Sequence, residues 1–161
     1  MNLEEIYQVL KDKFGESVLL LDTELSGDHS IHISPAAIVE ISTFLLETET
    51  LAFDTLMCLS GVDLSAKDEE FAVVYHLYSM NHRHKVVLKT PLPKSNPQLP
   101  SVSHIWKTAD WHEREAYDLY GIVFEGHTDL RRLLLPDDWE GYPLRKDYEE
   151  PDFYRGMRVP Y

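Results

Sequence analysis

The sequence contains a single cysteine, Cys58, among its 161 residues. One cysteine cannot form a disulfide within the chain, and it cannot supply the several thiolates of a cysteine-ligated zinc or iron–sulfur site. Cys58 lies beside Met57 and Leu59 in an apolar, strand-like run, where cysteines are commonly buried and inert. We therefore do not expect a catalytic thiol or a cysteine-bound metal on this chain.

Glycine is also scarce, and the seven glycines are scattered along the chain. None lies in a GxGxxG or GxxxxGK pattern, and there is no GxSxG turn, so neither a familiar nucleotide site nor a hydrolase nucleophile is expected. No apolar run approaches the roughly 18 residues that a membrane-spanning helix needs, and the N-terminus lacks a signal-peptide pattern. The sequence predicts a soluble, cytoplasmic protein.

Basic residues are scarce in the first half of the chain. The whole chain carries 15 Lys and Arg against 28 Asp and Glu, a net charge of −13. Residues 1–70 contain 15 acids and 3 bases, whereas residues 71–161 contain 13 acids and 12 bases. A chain this acidic is not expected to bind nucleic acid. The asymmetry indicates either a solvated acidic surface or a second half whose charges are balanced because it faces a partner.

The apolar pattern of residues 1–90 predicts an α+β fold, with a helix layer packed on a mixed sheet. The first helix is expected between an Asn2 N-cap and Gly15, and the second from Ser34-Pro35 to about Glu47. Strands are expected at 17–22 (a buried one), 29–33, 53–64, 71–80 and 84–89, with turns at 26–28 and 81–83. The two-layer body is therefore placed at residues 1–90.

The pattern changes after residue 90. Four prolines between residues 91 and 100 predict a loop that is neither helix nor central strand. A short helix is expected from Ser101, and a longer one over Ala109–Tyr120 that ends at Gly121. We divide this half into a Pro-rich loop, helix and signature region (91–135) and an extended docking tail (136–161). The tail has no periodicity but many aromatics, which is typical of an interface; the alternative is a segment folded back over its own domain.

Histidines offer weak metal candidates. His82 and His84 are two residues apart and could share a strand face, but no third ligand is evident, so solvated turn histidines are the preferred interpretation. His112 lacks the second histidine of an HExxH helix. No metal site is therefore predicted.

Two carboxylates, Glu113 and Asp118, could act as a general acid and base. Arg114 and the Arg131-Arg132 pair offer ion partners, however, and the i, i+4 spacing permits an Arg114–Asp118 pair. Salt-bridged carboxylates are therefore favoured over a catalytic pair.

Charged and aromatic residues are densest in residues 111–148, which we name the signature segment. Exposed ion pairs contribute little stability each, so their number here is better explained by register and partner choice. The composition indicates a recognition surface.

These residues resemble the signature of the 30 kDa subunit of respiratory complex I, which is the C subunit of bacterial NADH–quinone oxidoreductase. Weaker similarity continues at 53–54, 61–63, 75–77 and the Pro-rich stretch before Trp106. One departure is Thr128, which stands where the family usually has a proline and is expected to loosen the turn before Arg131. The matching elements are Glu113-Arg114-Glu115, Asp118, Gly121, Phe124, His127, Asp129-Leu130-Arg131-Arg132, Leu134, Pro136-Asp137-Asp138-Trp139, Gly141 and Pro143-Leu144-Arg145-Lys146-Asp147-Tyr148.

The resemblance implies an α+β domain followed by an extended C-terminal segment. It implies a non-catalytic, accessory subunit in the peripheral arm of a proton-translocating NADH–quinone oxidoreductase. Such a subunit supports electron transfer from NADH to quinone by assembling its neighbours, especially those that form the quinone site. No cofactor is expected on this chain; FMN, iron–sulfur clusters and quinone are expected on partner subunits. The implied location is peripheral, on the cytoplasmic side of the cell membrane, with membrane contact only through the complex.

Two alternatives stay open at this point. One is the homologous subunit of a membrane-bound hydrogenase or formate-linked complex. The other is a free-standing enzyme that uses Glu113 or Asp118 as an acid–base group.

The predicted interface residues all lie in the signature segment, and no catalytic, cofactor or metal residue is predicted. Arg131, Arg132, Arg145 and Lys146 are the expected electrostatic contacts, and Trp139, Tyr142 and Tyr148 the expected aromatic ones. The full set is Glu113, Arg114, Glu115, Asp118, His127, Arg131, Arg132, Asp137, Asp138, Trp139, Tyr142, Arg145, Lys146, Asp147 and Tyr148.

Overall fold

The computed structural model describes residues 1–23, 29–64 and 70–159. Within these ranges no helix is long and apolar enough to cross a bilayer. The helices are α1 (Leu3–Phe14), α2 (Ile38–Glu47) and α3 (Ala109–Tyr120). The strands are β1 (Val18–Asp22), β2 (Ser30–Ile33), β3 (Thr55–Asp63), β4 (Glu70–Ser79), β5 (His84–Pro93), β6 (Gln98–Pro100), β7 (Val123–Glu125), β8 (Phe153–Tyr154) and β9 (Met157–Arg158).

Five strands form one mixed sheet in the order β1-β2-β5-β4-β3. Neighbouring strands are antiparallel except β2 and β5, which are parallel. β6 and β7 form a short parallel pair, and β8 and β9 form a hairpin. The prediction of an α+β fold with a mixed sheet is confirmed.

The first helix begins and ends where the sequence predicts. The Asn2 side chain accepts a hydrogen bond from the Glu5 N–H (2.8 Å), and Glu5 accepts one from the Asn2 N–H (2.9 Å). This capping box satisfies two otherwise unpaired donors. At the other end Gly15 has φ +53°, and its N–H donates to the Lys11 carbonyl.

The core lies on one face of the sheet, which we call the inner face. Phe71, Val73, Tyr75 and Leu77 of β4 all point into it and are fully buried, in the alternation typical of a strand with one face in the core. The buried apolar residues of α1, α2 and α3 belong to the same cluster, among them Ile38, Ile41 and Leu45 of α2. The helices therefore share the inner face.

The strand predicted at residues 17–22 is confirmed by β1, but the prediction that it is buried is wrong. β1 is the edge strand of the sheet, and while Val18 is buried, Leu19 and Leu20 are exposed. A short run of apolar residues does not distinguish an edge strand from a central one. The predicted turn at 26–28 lies outside the described residues.

The loop predicted from the four prolines of residues 91–100 is wrong in part, because two stretches of it are strands. β5 continues to Pro93, with Pro91 opposite Ala72 and Pro93 opposite Glu70. The register pairs β2 with β5 only at Leu88 and Lys89, so this stretch of β5 has β4 on one side, where proline is tolerated. The divisions at residues 90 and 135 stay a prediction, and β5 runs through the first of them.

Turns replace the predicted helix from Ser101. The N–H groups of Ile105 and Trp106 both donate to the Val102 carbonyl, and no helix forms before Ala109 in this described stretch. The Val102 N–H is bound by Glu113 of α3, which fixes this connection in place.

Candidate docking surface around the third helix

α3 covers the free edge of β3. The Thr108 hydroxyl donates to the Leu56 carbonyl (3.2 Å), and the Leu59 N–H donates to Nδ1 of His112 (3.2 Å). His112 therefore has a structural role at the edge of the sheet, where an uncovered strand would otherwise expose its hydrogen-bonding groups. Gly121 ends the helix in the left-handed region, φ +71°.

Glu113 is a buried carboxylate of α3. Its Oε2 accepts from the Ser101 hydroxyl (2.6 Å) and its Oε1 from the Val102 N–H (2.8 Å). Burial raises the pKa of Glu113 above its ordinary value, and the two hydrogen bonds oppose this only in part. The expected arginine pairing is not found among the described residues; Glu113 instead ties the turn before α3 to the helix.

His127 lies beside Glu113 with its side chain fully buried. Its Nδ1 accepts from the Asp129 N–H (3.0 Å), so the ring proton is on Nε2, which donates to the Asp110 carbonyl (3.1 Å). Nε2 also lies 2.9 Å from Asp110 Oδ1 and 3.9 Å from Glu113 Oε2. The imidazole therefore closes the turn that carries Thr128, the turn that the sequence predicts to be loose.

Asp118 has no exposed surface and binds the loop after β7. Its Oδ2 accepts from three consecutive backbone N–H groups, those of residues 133, 134 and 135 (3.0, 2.7 and 2.9 Å). Its Oδ1 pairs with Nη1 of Arg132 (2.8 Å). Burial opposes ionisation, but these donors together outweigh it and hold the pKa of Asp118 below its usual value. The carboxylate is an organising centre for the loop.

Arg132 joins α3 to the docking tail. Besides Asp118, it donates to the carbonyls of Trp139 (2.9 Å) and Gly141 (3.1 Å). Its guanidinium also lies 5.4 Å from the ring centroid of Tyr142. The predicted Asp118–arginine ion pair is confirmed for Arg132.

The predicted i, i+4 pair between Arg114 and Asp118 is absent from the salt bridges of the described residues. Arg114 instead donates to the carbonyls of Arg131 (3.4 Å) and Arg132 (3.2 Å), and lies 3.8 Å from Asp129 Oδ2. Its guanidinium stacks 5.2 Å from the Trp111 ring centroid. Helix spacing permits an ion pair, but the carbonyls of the following loop compete for the same donors.

The tail then packs against the end of α3. Arg145 donates through Nε to the Tyr120 carbonyl (2.6 Å), and its guanidinium lies over the rings of Tyr142 (4.6 Å) and Phe71 (5.0 Å). A Cβ on Gly121 would stand 2.6 Å from Arg145 Nη2 and from the Tyr142 ring. Glycine is therefore required here both by φ and by the close approach of the tail.

Two further contacts fix the tail to the sheet. The Lys146 N–H donates to Asp63 Oδ2 at the end of β3 (2.8 Å), and Lys94 Nζ lies 3.0 Å from Asp147 Oδ2. The Tyr148 N–H donates to the Arg145 carbonyl (3.1 Å). Residues 132–148 therefore fold over their own domain, which was the alternative interpretation of the tail.

The β8–β9 hairpin returns to residue 138. Asp138 accepts from the Tyr154 hydroxyl (2.8 Å) and from Nε and Nη2 of Arg155 (3.0 and 2.9 Å). The Trp139 and Tyr154 rings lie 5.0 Å apart. Hydrogen bonds from Tyr154 and Arg155 hold the pKa of Asp138 below its ordinary value.

The network leaves part of the signature segment exposed. Trp111 is 58% exposed, Leu134 62% and Leu144 49%. Glu115 and Leu144 also line a groove with Leu119 and Ser60 between β3, α3 and the tail. Of the predicted interface residues, Glu115, Arg131, Asp137, Asp138, Lys146 and Asp147 are exposed; Glu113, Arg114, Asp118 and the His127 side chain are buried; and Arg132, Trp139, Tyr142, Arg145 and Tyr148 are half-buried.

Sequence reasoning missed several residues of this network. Ser101, Lys94, Tyr154 and Arg155 carry no local signal, because each binds a residue distant in the chain. Asp63 is the exception, because it belongs to Gly61-Val62-Asp63, a stretch with weak similarity to the family that could have pointed to it.

The remaining sequence candidates lie elsewhere. His84 is buried and its Nε2 lies 2.8 Å from the Leu51 carbonyl, so its interpretation as a solvated turn histidine is wrong; His82, in the turn, is exposed. His84 is buried because it is the first residue of β5, whereas His82 lies in the turn before that strand. Cys58 is half-buried, with Sγ 3.2 Å from the Ser60 hydroxyl. The described residues contain no group of three or more potential metal ligands.

Comparison with known proteins shows which sequences this chain resembles. Residues 31–154 match the family model described as "Respiratory-chain NADH dehydrogenase, 30 Kd subunit". The chain is 50% identical over 159 residues to the C subunit of NADH-quinone oxidoreductase from Chloroherpeton thalassium, covering 98% of this chain and 65% of the relative. It is 40% identical over 156 residues to the corresponding protein of Chlorobium phaeobacteroides, which has the same name, covering 96% and 93% of the two chains.

Solved structures share the fold. The trypsin-resistant fragment (1–134) of Nqo5 superposes with a TM-score of 0.63 at 30% identity, covering 76% of this chain and 97% of the fragment. A chain of an archaeal membrane-bound sulfane sulfur reductase, a respiratory membrane complex, superposes with a TM-score of 0.71 at 23% identity, covering 97% of this chain and 98% of that one. The second likeness extends through the docking tail and concerns the fold alone.

Proposed function

Because the chain belongs to the family of the 30 kDa subunit of respiratory-chain NADH dehydrogenase, we propose that it is a structural subunit in the peripheral arm of a proton-translocating NADH–quinone oxidoreductase. Its role is to hold neighbouring subunits, especially those that form the quinone site, so that electrons pass from NADH to quinone. FMN, iron–sulfur clusters and quinone reside on those partners. The chain lies on the cytoplasmic side of the membrane and contacts the membrane only through the complex.

A single observation carries this proposal: internal hydrogen bonds and ion pairs join the parts of the signature segment, and the segment still exposes apolar side chains. Asp118 and Arg132 fix the loop after β7, and Arg145 fixes the tail. Trp111, Leu134 and Leu144 nevertheless remain exposed on this framework. A pre-organised surface with large exposed apolar and aromatic residues is typical of an interface, since little ordering entropy is lost on binding.

The predicted interface residues then divide into two roles. The buried Glu113, Arg114 and Asp118 shape the surface from inside. The exposed Glu115, Arg131, Asp137, Lys146 and Asp147 surround the apolar residues and set partner choice, as rim charges do.

The rival, a free-standing acid–base enzyme, is not favoured by this geometry. Glu113 and Asp118 have no exposed surface, and their carboxylate oxygens are bound by protein donors. A substrate would have to displace those donors first. Turnover by the isolated chain that is lost in Glu113→Gln would support the rival; we expect none.

The test is assembly of the complex with Leu134→Asp or Leu144→Asp. Each places a charge on the exposed surface without removing an internal hydrogen bond. We expect purified complexes to lose this subunit and NADH–quinone activity, while the isolated variants unfold at the wild-type temperature.

The matched control is Met80→Asp, the same kind of change at an equally exposed residue in the turn after β4. It should leave assembly unchanged. Full assembly of both leucine variants would reject the signature segment as the docking surface. A purified complex that lacks NADH-oxidising subunits would instead favour the hydrogenase-type alternative.

A further inference from the structure

A groove opens between the edge strand β3, the second half of α3 and the tail, and we call it the β3–α3 groove. Leu119 of α3 and Leu144 of the tail form its apolar walls, and the Leu144 N–H donates to the Leu119 carbonyl (3.1 Å). Leu144 is still 49% exposed. The groove is therefore an open, partly apolar surface whose two walls are joined to each other.

Gly61 of β3 lies in this groove with its backbone pointing out of the sheet. The Leu59 N–H points away from β4, because it donates to Nδ1 of His112 (3.2 Å). The Leu64 N–H, an odd number of residues further on, donates back to the Glu70 carbonyl (2.8 Å). Backbone groups alternate in direction along an antiparallel strand, and the register is regular over this stretch. The N–H and C=O of Gly61 therefore point to the free edge, as those of Leu59 do.

These two groups of Gly61 lack a partner. Across residues 1–23, 29–64 and 70–159 no hydrogen bond reaches either of them, although Gly61 is buried. The positions on either side are bound, Leu59 by His112 and the Asp63 side chain by the Lys146 N–H. Buried backbone donors and acceptors are nearly always paired in native proteins. An unpaired donor and acceptor in a groove therefore indicate a missing partner.

The charge around the groove is negative. Glu115 is exposed, and no described residue forms a hydrogen bond or an ion pair with it. Burial raises the pKa of Tyr120, which lines the groove, and the nearby negative charges of Asp63 and Glu115 raise it further. The described residues that line the groove include no lysine or arginine. The groove therefore favours an occupant that carries a positive charge.

These features together define the kind of occupant. The N–H and C=O of one edge residue are complemented by the C=O and N–H of one residue in an extended chain, as when a peptide adds to the edge of a sheet. The walls at Leu119 and Leu144 fit an aliphatic side chain. The unpaired carboxylate of Glu115 fits a lysine or arginine.

Other occupants are disfavoured by the same charges. A second copy bound through a two-fold axis would bring two unpaired Glu115 carboxylates to one interface. An anionic membrane would be repelled both by Glu115 and by the net charge of −13.

We propose that the β3–α3 groove binds an extended segment of a neighbouring subunit, whose backbone pairs with Gly61 and whose lysine or arginine pairs with Glu115. This inference rests on the proposed role as a complex subunit, and it specifies the chemistry of the partner at one part of the docking surface. Leu134 is not among the residues that line the groove, so the rest of that surface can be tested separately.

The direct test is amide hydrogen–deuterium exchange of the intact purified complex and of the isolated chain, resolved to single residues by mass spectrometry. The Gly61 amide should exchange about tenfold more slowly in the complex, because it gains a hydrogen bond there. The Leu59 amide, which His112 already binds, is the internal control and should change less. Slowing at Gly61 that does not exceed the slowing at Leu59 would show that the groove holds only water, and the proposal would be wrong.

Two additions to the isolated chain separate the other occupants. Exchange of the Gly61 amide should depend neither on protein concentration nor on vesicles of anionic phospholipid. Slower exchange at high protein concentration would identify a second copy as the occupant, and slower exchange with vesicles would identify a membrane. Either result would overturn the proposal.

The matched variants are Glu115→Lys in the groove and Glu40→Lys on α2. Both glutamates are exposed on helices, and neither has a hydrogen bond or an ion pair within the part of the chain that the structure describes. Glu115→Lys places a like charge against the partner and should lower the amount of subunit in the purified complex about tenfold, whereas Glu40→Lys should not. Thermal unfolding of each isolated chain controls for misfolding.

The result for Glu115→Lys is read beside that for Leu134→Asp. If Glu115→Lys assembles normally while Leu134→Asp does not, the groove is not a binding site, but the proposed function stands. If both assemble normally, the signature segment as a whole is not the docking surface.

Discussion

Asp118 and Arg132 form a buried ion pair, 2.8 Å between Oδ1 and Nη1, that joins α3 to the chain that follows it. Asp118 has no exposed surface and the Arg132 side chain is only 14% exposed. The remaining oxygen of Asp118 is saturated by three backbone N–H groups, and Arg132 continues to two carbonyls of the tail. The pair therefore has the additional hydrogen bonds that a buried charge requires.

Removal of this carboxylate should be strongly destabilising. Asp118→Asn leaves the Arg132 guanidinium buried without its counter-charge, and we expect a loss of about 3–5 kcal/mol in the free energy of unfolding. Urea denaturation of the isolated chain measures it. The control is Asp129→Asn, which removes an exposed ion pair with Arg131 and a longer contact, 3.8 Å, with Arg114, so its effect should be much smaller. Equal effects of the two variants would show that Asp118 does not organise the loop.

Gly121 provides a test of the attachment of the tail. Gly121→Ala meets both a positive φ and a clash, whereas Gly126→Ala has a similar φ (+82°) and open space around its Cβ. Both variants should lose about 1–2 kcal/mol from the left-handed backbone. Only Gly121→Ala should displace Tyr142 and Arg145.

Limited trypsin digestion distinguishes the two glycine variants. Cleavage after Arg145 and Lys146 should become faster in Gly121→Ala and stay at the wild-type rate in Gly126→Ala. If both variants were cleaved alike, the close packing of the tail on Gly121 would not exist in solution.

Local features were predictable from the sequence because their physical causes are local. The N-cap at Asn2 and the stop at Gly121 depend on residues within one helical turn. The alternation of β4 follows from the two-residue period of a strand. These signals were sufficient for the α+β class.

Partners distant in the chain were not predictable, because the spacing of two residues along a helix shows only which pairs are possible and not which pairs form. Arg114 stands one turn before Asp118, yet it binds carbonyls of the following loop. Glu113 was expected to pair with arginine and binds Ser101 instead. The prolines of β5 were misinterpreted for the same reason, since their acceptability depends on which strand lies beside them.

Glu113 should make stability pH-dependent in a defined direction. Its pKa in the folded chain is raised above the ordinary 4.5 by burial, so the folded state holds its proton to higher pH than the unfolded state does. Its contribution is therefore fully present below pH 4.5 and is lost as the pH rises through the folded-state pKa.

The contribution of Glu113 to the pH dependence of stability is isolated by subtracting the free energy of unfolding of the wild type from that of a variant at each pH. The difference in free energy of unfolding between Glu113→Gln and the wild type should favour the variant increasingly as the pH rises above 4.5, because Gln does not ionise. Asp118, whose pKa is lowered, changes stability with pH in the opposite direction. It does so in both the wild type and the variant, so its contribution cancels in the difference. If the difference in free energy of unfolding between Glu113→Gln and the wild type did not change with pH, the Glu113 carboxylate would not be buried in solution.

The terminal hairpin should depend on one exposed carboxylate. Asp138 binds both Tyr154 and Arg155, so Asp138→Ala removes the side-chain hydrogen bonds between the β8–β9 hairpin and the rest of the tail. The hairpin amides should exchange faster with deuterium, and trypsin should cut sooner after Arg155. Global stability should change little, because these contacts are exposed and solvent screens the ion pair. Asp152→Ala, an exposed acid beside the hairpin, is the control and should leave exchange unchanged. Retained protection in Asp138→Ala would mean that the Trp139–Tyr154 ring contact alone holds the hairpin.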